Sequence, residues 1–408
     1  MKHKSPVLVV GQAVRPTGYA RVINSILKHL KDRYEFHHFG INYNGPPLDC
    51  GWKVYPNELP GDILGVEQLP LLVEKIRPRL LFFVHDMYLY QLHRPGLDKH
   101  RCQLRTIAYF PVEGVLADPA ALKGLDRLDT AVLFTDGAAR AVERSLAALN
   151  LRHHSFCPPS LKVIPHGVDT NAFRPCTADS ASPEFRWSRI KARASLFRDR
   201  PELSNAFIVL NANRNQPRKR IDITVEAFAL FARDKPENVK LYLHMGTEDR
   251  GYKLSELRGW HDLKGRVLLT TESAEMPNIP DGKLNLIYNA CDVGLNTSTG
   301  EGWGLVAFEH AATGAAQVMP RHSACAELWR DAALLVDPME TFKPPTEFVV
   351  HKIVSPADVA NALERIYETP TLLQEFSTRG YKRATVPELE WGQIADKWDR
   401  LFQDELNG

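Results

Sequence analysis

Short apolar runs alternate along this chain with longer segments in which apolar side chains recur every three to four positions. Val7-Leu8-Val9-Val10-Gly11 is apolar or small throughout, the pattern of a strand buried on both faces of a parallel sheet. A loop from Gln12 to Gly18, containing Pro16, leads into Tyr19 to Leu30, where Val22, Ile23, Ile26, Leu27 and Leu30 mark a helical face. Strands are predicted next at 80–84, 106–110 and 130–134, with a helix over 138–149. Residues 176–204 are polar and loosely patterned, and read as a linker with a short helix around 189–197. The alternation then resumes, with strands at 206–211, 239–243, 267–269, 292–295, 318–319 and 334–336. Helices are predicted over 221–232, 284–290, from Gly304 to about Gly314, and over 356–367 and 372–381. A last amphipathic helix, 391–402, puts Ile394, Trp398 and Leu401 on one face. Strand–helix alternation that occurs twice predicts an α/β protein with two doubly wound domains, residues 1–165 and 166–387.

Composition narrows the functional classes. A chain of 408 residues is too long for one ordinary core, which agrees with two domains. The net charge of +2 supplies no overall field to recruit nucleic acid or anionic lipid. No apolar run approaches the ~18–20 residues of a membrane-spanning helix. The start, Met1 to Pro6, leads into Val7 to Gly11 only, too short for a signal-peptide core. The six cysteines (50, 102, 157, 176, 291, 325) are scattered without a Cys-x-x-Cys pair, so they read as reduced thiols of a cytoplasmic protein and not as a zinc site or disulfide frame. Nothing in the sequence specifies an oligomeric state.

The chemistry concentrates in a few stretches. The strand ending at Leu295 is followed by small polar residues, then Gly300, Gly302 and Gly304, then a helical run. Strand, flexible turn and helix N-terminus make an anion site, because the first helical N–H groups lack partners and the dipole favours negative charge there. Glu301 lies in this turn and Glu309 inside the helix. An ionised carboxylate only accepts hydrogen bonds, so sugar hydroxyls are natural partners; a solvated or dipole-stabilised helix acid is the plainer alternative. Arg214 and Lys219 follow the strand at 206–211 and offer a planar fork and a point charge to an anion, unless the segment is only a solvated basic turn or a nucleic-acid patch. His85 and Asp86 stand at the end of the strand at 80–84, where doubly wound sheets place ligands. Tyr19 and Glu113 are further candidates on this side. The 12–18 loop is not Gly-x-Gly-x-x-Gly, so no dinucleotide fingerprint is present.

Glu301-Gly-Trp-Gly-Leu-Val-Ala-Phe-Glu309 resembles the signature of the family-4 retaining glycosyltransferases, nucleotide-sugar enzymes of the GT-B fold. Pro165-His-Gly-Val-Asp-Thr-Asn-Ala-Phe-Arg-Pro175, the Arg214-x4-Lys219 pair and the small-residue loop 320–327 resemble the same family, and together these stretches span most of the chain. The resemblance implies two Rossmann-like domains facing across a cleft, with the acceptor mainly on the first, the donor on the second and helix 388–408 packed back on the first. It implies transfer of a sugar from a UDP-, GDP- or ADP-sugar to an acceptor hydroxyl with retention of configuration. Arg214 and Lys219 would hold the diphosphate, Glu309 the ribose and Glu301 the transferred sugar. Gly18 and the backbone around Gly302, Trp303, Gly304 and Leu305 would line the donor. His85 would stand near the sugar, and Tyr19, Asp86 and Glu113 on the acceptor side. Relatives often carry a His-Asp-type pair near 111–114, where this chain has Pro and Glu, which leaves open whether His85 or Glu113 meets the acceptor. No Asp-x-Asp occurs, so neither a metal nor any cofactor beyond the donor is expected. A sugar phosphorylase, an epimerase or a non-catalytic nucleotide-sugar-binding protein could use the same scaffold.

Overall fold

The structure is a computed structural model and describes residues 4–14, 17–152, 157–177, 185–344 and 348–408. Pro16 of the first loop and part of the 176–204 linker lie outside those residues. The chain divides into two compact units. The first comprises residues 1–167, 346–349 and 391–408, and the second 168–345 and 350–390.

The first unit begins with β1 (Ser5–Gly11), α1 (Gly18–Leu30), β2 (Tyr34–Gly40), β3 (Leu48–Asp49), β4 (Lys53–Tyr55), α2 (Gln68–Ile76) and β5 (Leu80–Val84). It continues with α3 (Met87–Leu97), β6 (Arg105–Tyr109), β7 (Val115–Leu116), β8 (Thr130–Leu133), α4 (Asp136–Arg152) and β9 (Ser160–Val163). Its eight-stranded sheet has the order β3-β4-β2-β1-β5-β6-β8-β9, parallel except for the β3–β4 pair. The apolar run of β1 is central: Val7 to Gly11 pairs with Leu80 to Val84 on one side, and the whole strand pairs with β2 on the other. Thr17 caps α1, its hydroxyl accepting from the Ala20 amide at 3.2 Å. The chain runs from β1 outward to β2 and then returns past it to β5, so the topology reverses between β1 and β5. Ligands of doubly wound sheets bind outside the strand ends at such a reversal.

The second unit runs α5 (Arg186–Leu196), β10 (Phe207–Asn211), α6 (Ile221–Ala232), β11 (Val239–Leu243), α7 (Leu254–Trp260), β12 (Val267–Leu269), α8 (Asp281–Ala290) and β13 (Val293–Leu295). It then runs α9 (Leu305–Ala311), β14 (Ala316–Pro320), α10 (Ser323–Leu328), β15 (Leu334–Val336), the antiparallel pair β16 (Pro338–Phe342) and β17 (Val349–Val354), α11 (Pro356–Glu368) and α12 (Pro370–Ala384). Its main sheet is wholly parallel in the order β12-β11-β10-β13-β14-β15, with the reversal between β10 and β13. Val209, Leu241, Leu243, Val293, Leu295 and Val318 of the sheet bury against Ile221, Val225 and Phe228 of α6 and against Val359, Leu363 and Ile366 of α11.

The chain then returns to the first unit as α13 (Trp391–Asn407). The Trp398 ring lies tilted 4.6 Å from Phe82 and edge-on 4.8 Å from Tyr109, and Phe402 lies edge-on 5.2 Å from Phe82. Tyr34 donates to Asp399 at 2.7 Å, and Arg79 donates to the Leu406 carbonyl at 2.6 Å. All six cysteines are free thiols. Among the described residues no helix is long and apolar enough to cross a membrane.

Candidate functional site

The second unit brings two turns together at its topological reversal. One follows β10 and runs from Asn211 to Arg220. The other follows β13 and runs from Asn296 to Gly304. Side chains and backbone stitch them together. The Asn211 amide donates to Thr224 Oγ1 at 2.9 Å, and Thr224 and Thr297 hydroxyls lie 2.7 Å apart. Thr297 Oγ1 donates to the Arg220 carbonyl at 2.8 Å, and the Thr299 amide donates to the Arg218 carbonyl at 2.8 Å.

Glu301 sits at the centre of this junction, 4% exposed. Its Oε1 accepts from Lys219 Nζ, from Asn296 Nδ2 at 3.0 Å and from Ser298 Oγ at 3.0 Å. Arg218 Nη1 lies 3.7 Å from Oε2. Burial by itself would raise this carboxyl, but Lys219 above all, then Arg218 and the hydrogen bonds, outweigh burial and lower its pKa to about 2. It is therefore a carboxylate at neutral pH, with one oxygen saturated by protein donors and the other beside a cation.

Arg214 projects from the same turn into a fork with Asp249, Nε to Oδ2 at 2.6 Å and Nη2 to Oδ1 at 3.0 Å. Asn215 fastens the Asp249 loop, donating to the carbonyls of Gly246 (3.1 Å) and Tyr252 (2.7 Å) and accepting from the Tyr252 amide (2.9 Å). A Cβ at Gly251 would fall 2.2 Å from Asn215 Oδ1, so this loop closes over Asn215 only with glycine there. Lys219 is thus paired with Glu301 and Arg214 with Asp249, rather than both cations standing side by side with open hands.

Gly304 is the N-cap of α9 with φ +92°, and a Cβ there would meet nothing within 4 Å. The left-handed backbone, not crowding, selects glycine. Gly302 and Trp303 precede it, Trp303 buried and stacked on Phe308 at 4.9 Å, while Leu305 opens the helix. Glu309, 5% exposed, accepts from the Tyr288 hydroxyl of α8 at 3.0 Å. The helix stops at Ala311, short of Gly314, which follows at φ +89°.

The first unit gathers its own candidates at the β1/β5 reversal. His85 follows β5 directly, 7% exposed, stacked on Tyr19 at 4.5 Å. The Asp86 amide donates to His85 Nδ1 at 2.8 Å, which leaves the ring proton on Nε2; the Gln12 side-chain amide lies 3.4 Å from Nε2 and can accept that proton only through its oxygen. The Tyr19 hydroxyl donates to Asp86 Oδ1 at 2.5 Å. Gly18 is the first residue of α1, beside that tyrosine. Glu113 lies half-buried in the loop between β6 and β7. His166 of the Pro-His-Gly segment is not a ligand-facing group: it is buried, Nδ1 2.7 Å from the Tyr109 hydroxyl, and burial lowers its pKa to about 3. Sequence reasoning did not single out Arg218, Asp249, Tyr288, Asn296 or Ser298. The cluster Asn296-Thr-Ser at the end of an apolar strand was the available signal.

The fold has well-characterised likenesses. A sucrose-phosphate synthase from Thermosynechococcus elongatus superposes with a TM-score of 0.71 at 18% identity, over 98% of this chain and 99% of that one. Anabaena Alr3699/HepE, solved in complex with UDP and glucose, superposes with 0.69 at 16% identity, over 98% and 100%. The protein is thus of the GT-B class. Residues 193–383, which hold Arg214, Lys219, Glu301 and Glu309, match the family glycosyl transferases group 1, so that part of the chain is similar to the glycosyltransferases of that group. A D-inositol 3-phosphate glycosyltransferase from Streptomyces scabiei is 27% identical over 165 residues, 40% of this chain and 34% of that relative, so the match spans about a third of the curated relative's length.

Proposed function

We propose that the protein transfers a sugar from a nucleotide-diphosphate sugar to an acceptor hydroxyl with retention of configuration and without a metal ion. The observation that carries this reading is the buried Lys219–Glu301 pair, ringed by Arg218, Asn296 and Ser298 at the β10/β13 reversal. It sets cations and a carboxylate that stays ionised beside one another, which is the pairing a donor requires. The diphosphate is the anion and the sugar brings hydroxyl donors.

Lys219 and Arg214 receive the diphosphate. Lys219 brings its charge to the junction where it pairs with Glu301; Arg214 keeps Nη1 outside its fork with Asp249. Glu301, whose second oxygen is not saturated, accepts from a hydroxyl of the transferred sugar. Glu309 accepts from the ribose, with Tyr288 fixing its orientation. The acceptor oxygen attacks the anomeric carbon on the face from which the diphosphate departs. The glycosidic C–O bond forms, the C–O bond to phosphate breaks, and the acceptor proton passes to the departing phosphate oxygen. Protein groups already in place stabilise the charge that builds on that phosphate. A UDP donor is the first to test, since the Anabaena likeness was solved with UDP.

The test is calorimetry with UDP, GDP and ADP, followed by turnover of the matching nucleotide sugars in excess chelator. One diphosphate should bind and its sugar should be consumed with chelator present. Lys219→Ala and Arg214→Ala should each weaken that diphosphate about 10- to 150-fold, the worth of a hydrogen bond to a charged group. Unchanged affinity in both variants, or activity restored only by added divalent ion, overturns the reading.

A further inference from the structure

Ser323, the first residue of α10, has φ +47°. Among residues other than glycine, the left-handed region is favoured by asparagine, aspartate and histidine, so a serine there is uncommon. Arg77 and Asp262 also adopt it, at +52° and +51°, but just past the last turns of α2 and α7, where helices commonly end this way. Ser323 adopts it where a helix begins. Glycine would take this backbone without setting a Cβ against the following carbonyl.

What serine has and glycine lacks is the hydroxyl, and here the hydroxyl meets Glu301. The Glu301 amide donates to Ser323 Oγ at 3.0 Å, and the Ala324 amide donates to the Glu301 carbonyl at 3.2 Å. One left-handed turn therefore grips both main-chain polar groups of Glu301. His322 stands behind it, with Nδ1 3.2 Å from the same Oγ. That imidazole is buried, and burial lowers its pKa to about 4. A neutral ring can accept the proton of the hydroxyl while the hydroxyl accepts from Glu301.

The grip matters because of how the Glu301 side chain is tied. Its Oε1 is anchored to Lys219, Asn296 and Ser298. With that oxygen fixed, the main chain at residue 301 decides where Oε2 points. Strained non-glycine backbone persists only where its surroundings over-determine it, and it collects at working sites. Resting on the reading of Glu301 as the group that meets the transferred sugar, we propose that Ser323 is a positioning residue for the transfer: its hydroxyl, aimed by a left-handed backbone, sets the Glu301 carboxylate against that sugar.

Ser323→Ala and Ser323→Gly test this on the full chain, and neither adds an atom that could clash. Both remove the hydroxyl, but only glycine also removes the backbone strain. Thermal unfolding should place Ser323→Gly above Ser323→Ala. Consumption of UDP-glucose, GDP-mannose and ADP-glucose is followed beside calorimetry with UDP, GDP and ADP. Turnover of the sugar that the wild type consumes should fall about tenfold or more in both variants, since a small misplacement beside the reacting centre is enough for that. Affinity for the free diphosphate should change by less than about twofold, because Glu301 serves the sugar and that ligand carries none. A residue that only supported the fold would give the reverse, turnover recovering in glycine along with stability. Wild-type turnover in either variant, or diphosphate affinity falling as far as turnover does, overturns the inference. A wild-type protein that binds none of the three diphosphates and consumes none of the three sugars overturns the glycosyltransferase reading instead.

Discussion

Glu301 is held as a carboxylate against the desolvation that surrounds it, and that has a consequence in acid. Burial pushes its pKa up while Lys219, Arg218 and their hydrogen bonds push it down further, to about 2, against 4.5 for a free glutamate. A group whose folded pKa is depressed contributes stability above the unfolded value and loses it as pH falls through the folded one. The protein should therefore lose this contribution between pH 4.5 and about 2. The thermal midpoint of Glu301→Gln, followed from pH 5.5 downward, should fall less steeply than that of the wild type; parallel curves would show the carboxylate is not held this way. Asp249 invites a second expectation. Asp249→Asn keeps the shape and tolerates the residue's φ of +30°, but it loosens the fork on Arg214. Loss of a competing negative charge offsets loss of positioning in ground-state binding, so diphosphate affinity should change by less than about threefold. Turnover depends on a cation fixed where charge develops and should fall about tenfold or more. Calorimetry beside steady-state kinetics on the one variant separates the two, and an equal loss in both would mean that Asp249 only supports the fold.

At the level of elements, the strand that leads into the Glu301 turn depends on a helix far from it in sequence. Asp292, just before β13, is clasped by Arg193 at 2.6 Å and Arg189 at 3.2 Å from α5, and it accepts from the Ile208 amide at 2.8 Å. Asp292→Ala leaves two buried guanidiniums unpaired and should destabilise the second unit by about 3–5 kcal/mol. Denaturant unfolding read from a second-unit probe measures this, and a change under about 1 kcal/mol would show that the arginines find other partners. The same elements show what the sequence could reveal. β5, β11, β12, β15 and α6 have the limits their apolar patterns predict, and all but β12, where only Leu268 is buried, are buried along most of their length. β2, Tyr-Glu-Phe-His-His-Phe-Gly, was not legible, because His37 and His38 are buried where a strand pattern calls for apolar residues. β16 and β17 escaped for the opposite reason: much of the pair is exposed, so burial imposes little pattern on it. In the site, local spacings such as Arg214 to Lys219 and Glu301 to Glu309 could be read. The partners Lys219–Glu301, 82 residues apart, and Arg214–Asp249, 35 apart, could not, since only the parallel sheet brings them together.

On the scale of the whole molecule, the first unit is built chiefly from two distant parts of the chain, with residues 346–349 as a small third. The polypeptide leaves it at Gly167 and reaches α13 only at Trp391. Phe82 and Tyr109 lie on its sheet and find part of their cover in Trp398 and Phe402. During synthesis this face waits bare while the intervening residues are made, on the order of ten to forty-five seconds at the usual ~5–20 residues per second. The second unit, continuous apart from a few residues, is finished first and can fold while its predecessor is still incomplete. A stop codon just before α13 would then spare the part nearest to it and ruin the part most remote. A chain stopped at Glu390 should keep the cooperative unfolding transition of the second unit, lose that of the first, and lean on chaperones to stay in solution; hydrogen exchange resolved along the sequence would show protection retained in β10 to β15 and lost in β1 and β5. If β1 and β5 stayed protected, the first unit would not need its last helix, and the wait on the ribosome would be harmless.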